Sequence, residues 1–223
     1  LGIQQGKGRD ADIVAAIKWA AGVQVKNAPA NKTPARVINL SFGGPGASAI
    51  LSSAIKEAIS RGVVVVAAAG NQNTDAQNIY PAAVQGAVTV GASQFDHKRA
   101  PYSNYGPVVD VMAPGGDMAQ TLPFKYQNKD WKAGVLGTLY ITSTKKFGYH
   151  LFEGTSQAAP LVAGVAALIL SVRPTLKPAD VLAVLKSSAD PKGKCAAGCG
   201  TGLVNAATAL AAAATWNPSG KTP

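Results

Sequence analysis

The sequence predicts an α/β protein with a doubly wound, mainly parallel central sheet flanked by helices, and three features lead to that expectation. Residues 62–69 are a continuous run of small and β-branched side chains around Val63-Val64-Val65-Val66, the composition of a central parallel strand covered on both faces. Stretches with strand and helix patterns alternate along the chain, as crossover connections between parallel strands require. The apolar run 161–170 carries no charge on any face, so a helix there is expected to be buried all round.

In chain order, Asp10 or Asp12 caps a first helix in which Ile13, Val14 and Ile17 share a face, and Gly22 stops it. Ile50, Leu51, Ala54, Ile55, Ala58 and Ile59 recur at helical spacing ahead of Gly62. Residues 87–90 and 108–112 read as further short strands, 178–188 and 206–214 as helices, and 217–223 as a polar tail with nothing to bury. With 223 residues, 47% of them hydrophobic, and no shift in composition along the chain, one domain over 1–216 is expected. No apolar stretch reaches the roughly 20 residues that cross a bilayer, so no membrane partner is expected.

Charge and cysteine content narrow the function classes. The net charge is +10, from 21 basic and 11 acidic residues, which raises a polyanion binder as a rival class. The basic residues are scattered, with a local excess only at Lys125, Lys129, Lys132, Lys145 and Lys146, and no aromatic-interleaved platform accompanies them. A solvated basic surface with no nucleic-acid partner is the expectation. Cys195 and Cys199 have no histidine or third cysteine nearby to complete a zinc site. They form either a local disulfide clamping the turn before Gly200, which fits a secreted protein, or two free thiols.

Gly154-Thr155-Ser156-Gln157-Ala158-Ala159-Pro160 leads straight into the apolar run and places a hydroxyl at its start. A glycine there lets the backbone approach a substrate, and free N–H groups at a helix start can donate to a developing negative charge, which makes Ser156 the candidate nucleophile. Pro160 is expected in the first turn, where a missing N–H costs little. A capped core helix is the competing reading of Gly-Thr-Ser alone. The motif is not the esterase elbow, whose second glycine is Ala158 here. Ala67-Ala68-Ala69-Gly70-Asn71 closes the valine-rich strand. Sites in open α/β sheets gather at the carboxyl ends of strands, so Asn71 is either an oxyanion donor or an ordinary turn residue.

Together these segments resemble the C-terminal two-thirds or so of a subtilisin-type serine protease domain. Residues 154–160 match the family's serine motif, 67–71 its oxyanion strand, and Val37-Ile38-Asn39-Leu40-Ser41-Phe42-Gly43-Gly44 its substrate-pocket strand. Asp110-Val111-Met112-Ala113-Pro114-Gly115 and Gly200-Thr201-Gly202-Leu203-Val204-Asn205 also resemble family segments, in the family's order. The resemblance implies a secreted endopeptidase that needs no cofactor for its chemistry, forms an acyl-enzyme on Ser156 and binds the oxyanion with Asn71. It also implies that a polypeptide substrate lies between Ser41-Phe42-Gly43 on one side and Gly6-Lys7-Gly8 on the other. Ala68 and Gly70 would line the side-chain pocket, with Ile79 at its floor and Gly154 and Thr155 beside the nucleophile. Lys7 and Arg9 would either favour acidic residues at the outer subsites or only face water. Asp110 with the carbonyls near Ala82 and Val84 would be the place for a structural calcium, weakened because Val108 replaces an acidic neighbour.

Family members also carry an Asp in an Asp-Thr/Ser-Gly turn and a His in a His-Gly-Thr-His segment, both ahead of the serine, and neither motif is present. The two histidines are His97, followed by Lys98, and His150, followed by Leu151. Since residues 10–19 resemble the helix that follows the histidine segment, the triad Asp and His are expected in an N-terminal segment ahead of Leu1 or on a second chain. This chain alone is expected to be inactive, because a serine hydroxyl is a weak nucleophile without a base and an orienting carboxylate. His97 and His150 fall in loop-like or inserted segments, poor places for a substitute base. A catalytically incomplete, protease-like binding module is the alternative.

Residues 116–153 make a longer connection than compact members have and read as an inserted hairpin containing Leu139-Tyr140-Ile141-Thr142. Gln157 follows the nucleophile where many members carry a methionine, which removes the usual site of oxidation. The complete enzyme is therefore expected to keep its activity in dilute peroxide. Rapid inactivation, followed by peptide hydrolysis after timed exposure, would count against this alignment.

Overall fold

The structure, a computed structural model, describes residues 8–125 and 127–218. In chain order it contains α1 (Asp10–Ala20), β1 (Val37–Leu40), the short β2 (Gly44–Pro45), α2 (Ala49–Ser60), β3 (Val64–Ala68), β4 (Ile79–Tyr80), β5 (Val88–Ser93) and β6 (Val111–Pro114). There follow β7 (Asp117–Thr121), β8 (Lys132–Ala133), β9 (Val135–Ile141), β10 (Lys146–Phe152), α3 (Thr155–Val172), α4 (Pro178–Ser187) and α5 (Ala206–Thr215). The strands β1, β3, β5 and β6 form a parallel sheet in that order, with Val37 opposite Val64, Val66 opposite Val88 and Val90 opposite Val111.

Alternate residues of β3 serve the two faces of this sheet. Val64, Val66 and Ala68 pack in one core with Val162 and Ile169 of α3, Val184 of α4 and Ala209 of α5. Val65 and Ala67 pack in a second core with Ile17 of α1 and Leu51 and Ile55 of α2. Every position of β3 is buried, which is why the sequence shows a run rather than an alternation. The parallel sheet between helices is the architecture the sequence predicts.

Several local features differ from the sequence reading. Arg9, not an aspartate, is the N-cap of α1; Asp10 and Asp12 lie in the first turn, where the helix dipole favours negative charge, and Asp12 pairs with Arg9 at 3.0 Å. The strand expected over 108–112 begins at Val111, because the chain first turns at Gly106, whose carbonyl accepts from the Val109 N–H at 3.1 Å. Residues 116–153 hold two antiparallel ribbons, β7 with β8 and β9 with β10, in place of one hairpin. Of the polar tail, residues 219–223 lie outside the described residues.

The helix α3 departs most from expectation. It starts at Thr155, so Ser156 sits inside its first turn and Pro160 lies deeper in the helix than a first-turn proline. It is not buried all round: Leu161, Leu168 and Val172 form a stripe exposed at 42%, 46% and 41%. Although its 18 residues are long and apolar enough to cross a bilayer, its other sides pack on β1, β3, β5, β6 and α5.

Cys195 and Cys199 are joined as a disulfide, and Cys199 is buried with Ala69, Val109 and Met112. At Asp110, the weak candidate place for a structural calcium, a lysine stands beside the carboxylate. That carboxylate accepts from the Thr89 N–H at 2.9 Å and from Lys186 Nζ at 3.0 Å, while the Ala82 carbonyl accepts from the Thr89 hydroxyl at 2.6 Å. An ammonium thus provides the positive charge that the carboxylate needs. Asp110→Ala, which strips the Thr89 N–H of its acceptor, is expected to lower stability by about 1–3 kcal/mol, and Lys186→Met, at a part-exposed ammonium, by about 1 kcal/mol or less, both read from urea midpoints.

Candidate active site

Strand β3 delivers the chain to Gly70 and Asn71 at the carboxyl edge of the sheet, and a buried side chain holds the turn that follows. Asn104 donates from Nδ2 to the Ala69 carbonyl at 2.9 Å and to Gln72 Oε1 at 3.0 Å, while its Oδ1 accepts from the N–H groups of Gln72 at 2.9 Å and Thr74 at 3.1 Å. Gly70 makes room for it, since at φ +102° a Cβ would collide with Asn104 Nδ2. Asn71 is then tied to α3. Its Oδ1 accepts from Thr155 N at 2.9 Å and Thr155 Oγ1 at 2.8 Å, and Thr155 Oγ1 accepts from Gly70 N at 3.1 Å. With its oxygen so engaged, Asn71 turns Nδ2 toward Gly154, where a Cβ would stand 3.3 Å from it.

Gly154 has φ +144°, outside the range of ordinary residues, and any side chain there would crowd both Asn71 and Gln157. Its N–H donates to the Gly115 carbonyl at 2.9 Å and to the Tyr102 hydroxyl at 2.9 Å, and that hydroxyl donates to the Gly116 carbonyl at 2.7 Å. Burial pushes the Tyr102 phenol well above its ordinary range, so it stays a neutral donor.

Ser156 and Ser41 bond reciprocally. Ser156 Oγ donates to the Ser41 carbonyl at 3.0 Å, and Ser41 Oγ donates to the Ser156 carbonyl at 2.9 Å while accepting from Asn39 Nδ2 at 2.8 Å. Pro160 explains the second bond. Lacking an N–H, it leaves the carbonyl four residues back, that of Ser156, without its helical partner, and Ser41 takes the vacant place. The ends of β1 and β3 therefore both meet the start of α3, at Ser156 and at Thr155.

Residues 2–212 match the sequence profile of the Subtilase family of peptidases. The chain belongs to the subtilase family. It is 42% identical over 205 residues to the extracellular protease of Xanthomonas campestris, an alignment covering 91% of this chain and 33% of that protein. It is 35% identical over 209 residues to the extracellular basic protease of Dichelobacter nodosus, covering 91% and 32%. A solved protease structure from Pseudoalteromonas arctica superposes with a TM-score of 0.85 at 42% identity, over 95% of this chain and 61% of that one. The chain spans about a third of the length of these two curated relatives.

In this subtilase, Ser41, Gly70, Asn71, Gly154, Thr155 and Ser156 are linked by the hydrogen bonds above. Phe42 and Gly43 follow Ser41, with Phe42 partly exposed, and Ala68 is buried at the end of β3. Ile79 is buried and pairs with Pro45 across β4 and β2. Gly8 lies ahead of α1, near Ile13, whereas Gly6 and Lys7 fall outside the described residues. Arg9 is engaged by Asp12. Neither histidine is a partner of Ser156: His97 is exposed in a turn at φ +68°, and His150 on β10 sits with its ring 5.1 Å from that of Phe152.

Tyr102 and Asn104 join the site without a signal in residue type, while Asn39, whose amide bonds Ser41, lies in the segment that resembles the substrate-pocket strand. Tyr102-Ser103-Asn104-Tyr105-Gly106 reads as a plain turn, and Asn104 acts on a backbone amide 32 residues away in the chain. Asn104→Ala would leave the Ala69 carbonyl and the N–H groups of Gln72 and Thr74 without buried partners. The expected loss is about 2–4 kcal/mol in the urea midpoint, with faster hydrogen exchange at the Gln72 and Thr74 amides.

Proposed function

We propose that this chain supplies the nucleophile and substrate cleft of a secreted serine endopeptidase, with residues 1–216 as the C-terminal portion of its peptidase domain. One observation carries this above the others: Asn71 Oδ1 is bonded to the start of α3, which leaves Nδ2 for an anion forming beside Ser156. In the proposed reaction a base takes the Ser156 proton as Oγ attacks the scissile carbonyl. The Asn71 amide and a backbone N–H at the start of α3 stabilise the oxyanion. The protonated base hands its proton to the leaving amine, and the same base then activates the water that hydrolyses the acyl-enzyme on Ser156. No cofactor enters these steps.

The base and its orienting carboxylate are proposed to lie outside this sequence, in an upstream segment or on a second chain. Here the Ser156 hydroxyl donates to a carbonyl, which cannot take a proton. Two features support a place for the missing segment. Among the described residues β1 has β3 as its one sheet neighbour, so its other edge offers unpaired backbone groups, and the stripe of Leu161, Leu168 and Val172 on α3 is exposed. The greater length of the relatives also supports it.

The proposed substrate is an extended polypeptide running along Ser41, Phe42 and Gly43 and, on its other side, Gly6, Lys7 and Gly8. Ala68, Gly70 and Ile79 would bound the side-chain pocket, with buried Ile79 narrowing it against very large residues. Secretion is supported by the extracellular proteases among the relatives and by the disulfide.

The isolated chain is expected neither to hydrolyse a chromogenic peptide nor to react with a fluorophosphonate, and the protein that carries it together with the upstream segment is expected to do both. In that complete protein Ser156→Ala abolishes both reactions. Asn71→Ala leaves KM near its starting value and lowers turnover on the order of 10²–10³-fold, a magnitude carried over from subtilisin itself, where loss of one oxyanion donor has this effect. An inactive complete protein that still binds polypeptide would be a protease-like binding module, and one held on heparin at high salt a polyanion binder.

A further inference from the structure

The ribbon of β9 and β10 carries an apolar surface that the proposed chemistry does not use. Its pairing sorts side chains onto two faces. Leu136 with Leu151, Thr138 with Tyr149 and Tyr140 with Phe147 share one face; Val135 with Phe152, Gly137 with His150, Leu139 with Gly148 and Ile141 with Lys146 share the other. On the second face the Phe152 ring lies over Gly137 and against His150 and Ile141 lies over Gly148, while Leu139 is exposed at 38%. The first stays open. Leu136, Phe147 and Tyr149 are exposed at 60%, 84% and 77%, and Tyr140 meets Phe147 edge to face at 5.2 Å. A two-stranded ribbon is marginal by itself, and a contiguous exposed apolar patch marks an interaction surface.

The base of this ribbon is continuous with the candidate active site. Strand β10 ends at Phe152; the Glu153 carboxylate then accepts from the Met118 N–H, Gly154 is held by Gly115 and Tyr102, and Ser156 follows. From that rim the ladder runs outward for about 20 Å at roughly 3.3 Å per residue. At its far end Lys145 and Lys146 have no carboxylate at ion-pair distance among the described residues.

We propose that this open face is an exosite for the part of an unfolded protein substrate that extends beyond the cleft. Aromatic and aliphatic side chains of the substrate lie on Leu136, Tyr140, Phe147 and Tyr149, and its acidic side chains meet Lys145 and Lys146. The assignment rests on the endopeptidase reading above and names its substrate class. Three residues separate Phe152 at the end of β10 from Ser156, so the ribbon is within reach of a long chain held at Ser156, whereas a short peptide ends inside the cleft. An apolar ladder with charge only at its tip suits a polypeptide, because a polyanion needs positive charge along its whole track.

The test uses the complete protein with casein, which is unfolded and acidic, and with a chromogenic tetrapeptide. Phe147→Thr/Tyr149→Thr is expected to lower kcat/KM for casein about tenfold through KM, while hydrolysis of the tetrapeptide stays unchanged. Lys145→Ala/Lys146→Ala is expected to lower it less, by an amount that vanishes at high salt. Casein binding to the Ser156→Ala form, followed by fluorescence anisotropy, is expected to weaken in parallel. That readout needs no turnover, so failure of the chemistry and failure of the exosite are told apart. Equal losses on both substrates, or casein turnover and binding left intact, would overturn the proposal. So would a parent dimer that the threonine variant converts to monomer with casein cleavage unchanged, since the face would then belong to a second copy.

Discussion

The pair of hydrogen bonds from Thr155 to Asn71 Oδ1 joins the end of β3 to the start of α3, 84 residues apart in the chain, and the geometry of the site depends on it. A carboxamide can present either an acceptor or two donors, and which one faces a cleft is decided by what binds the other end. With the oxygen held by the N–H and hydroxyl of Thr155, the donor end is the one left beside Gly154 and Ser156. Asn104 makes the arrangement durable by bonding both sides of the turn that carries Asn71. A donor oriented before any charge develops needs no reorganisation when the charge appears.

A proline inside α3 would ordinarily weaken the helix, and here the damage is repaired by the strand that faces it. The Ser156 carbonyl, freed by Pro160, accepts from Ser41, and the Ser41 carbonyl accepts from Ser156. These bonds fix the Ser156 backbone to the end of β1 and hold its hydroxyl hydrogen in a neutral contact. They also connect Ser156 to the sheet's edge, because β1 is the outermost strand of the order β1, β3, β5, β6. A segment added at that edge would lie next to the strand that already holds the hydroxyl.

Two exposed apolar surfaces differ in kind. The stripe of Leu161, Leu168 and Val172 belongs to a helix whose opposite side is the main core, so it continues an interior. The ladder on β9 and β10 stands on a ribbon outside those cores, with Phe152 and Ile141 lying over the glycines of its other face. The first has the character of an unfinished interior and the second that of a contact surface. Charge is handled locally in the same protein: Asp110, next to the disulfide-clamped turn, is neutralised by Lys186 at 3.0 Å.

Composition along short windows was enough to place β3, the helical face of α2, the apolar α3 and the serine and asparagine at their ends, since each follows from burial on both faces or from the spacing of apolar residues. The windows failed wherever a distant partner sets the outcome. Arg9 rather than an aspartate occupies the N-cap position of α1, a lysine from α4 pairs with Asp110, and one side of α3 is exposed. Asn104 and Tyr102 carry no local mark of their contacts. By itself, then, the sequence determined the layered α/β architecture, the family resemblance and the identity of Ser156 and Asn71 as candidates. Only the tertiary structure decided which end of the Asn71 amide faces Gly154, what repairs Pro160 and which face of the ribbon stays open. The reason is physical: burial is encoded by the period of a side-chain pattern, but a hydrogen bond's direction is set by the atom across from it, up to 138 residues away in this chain.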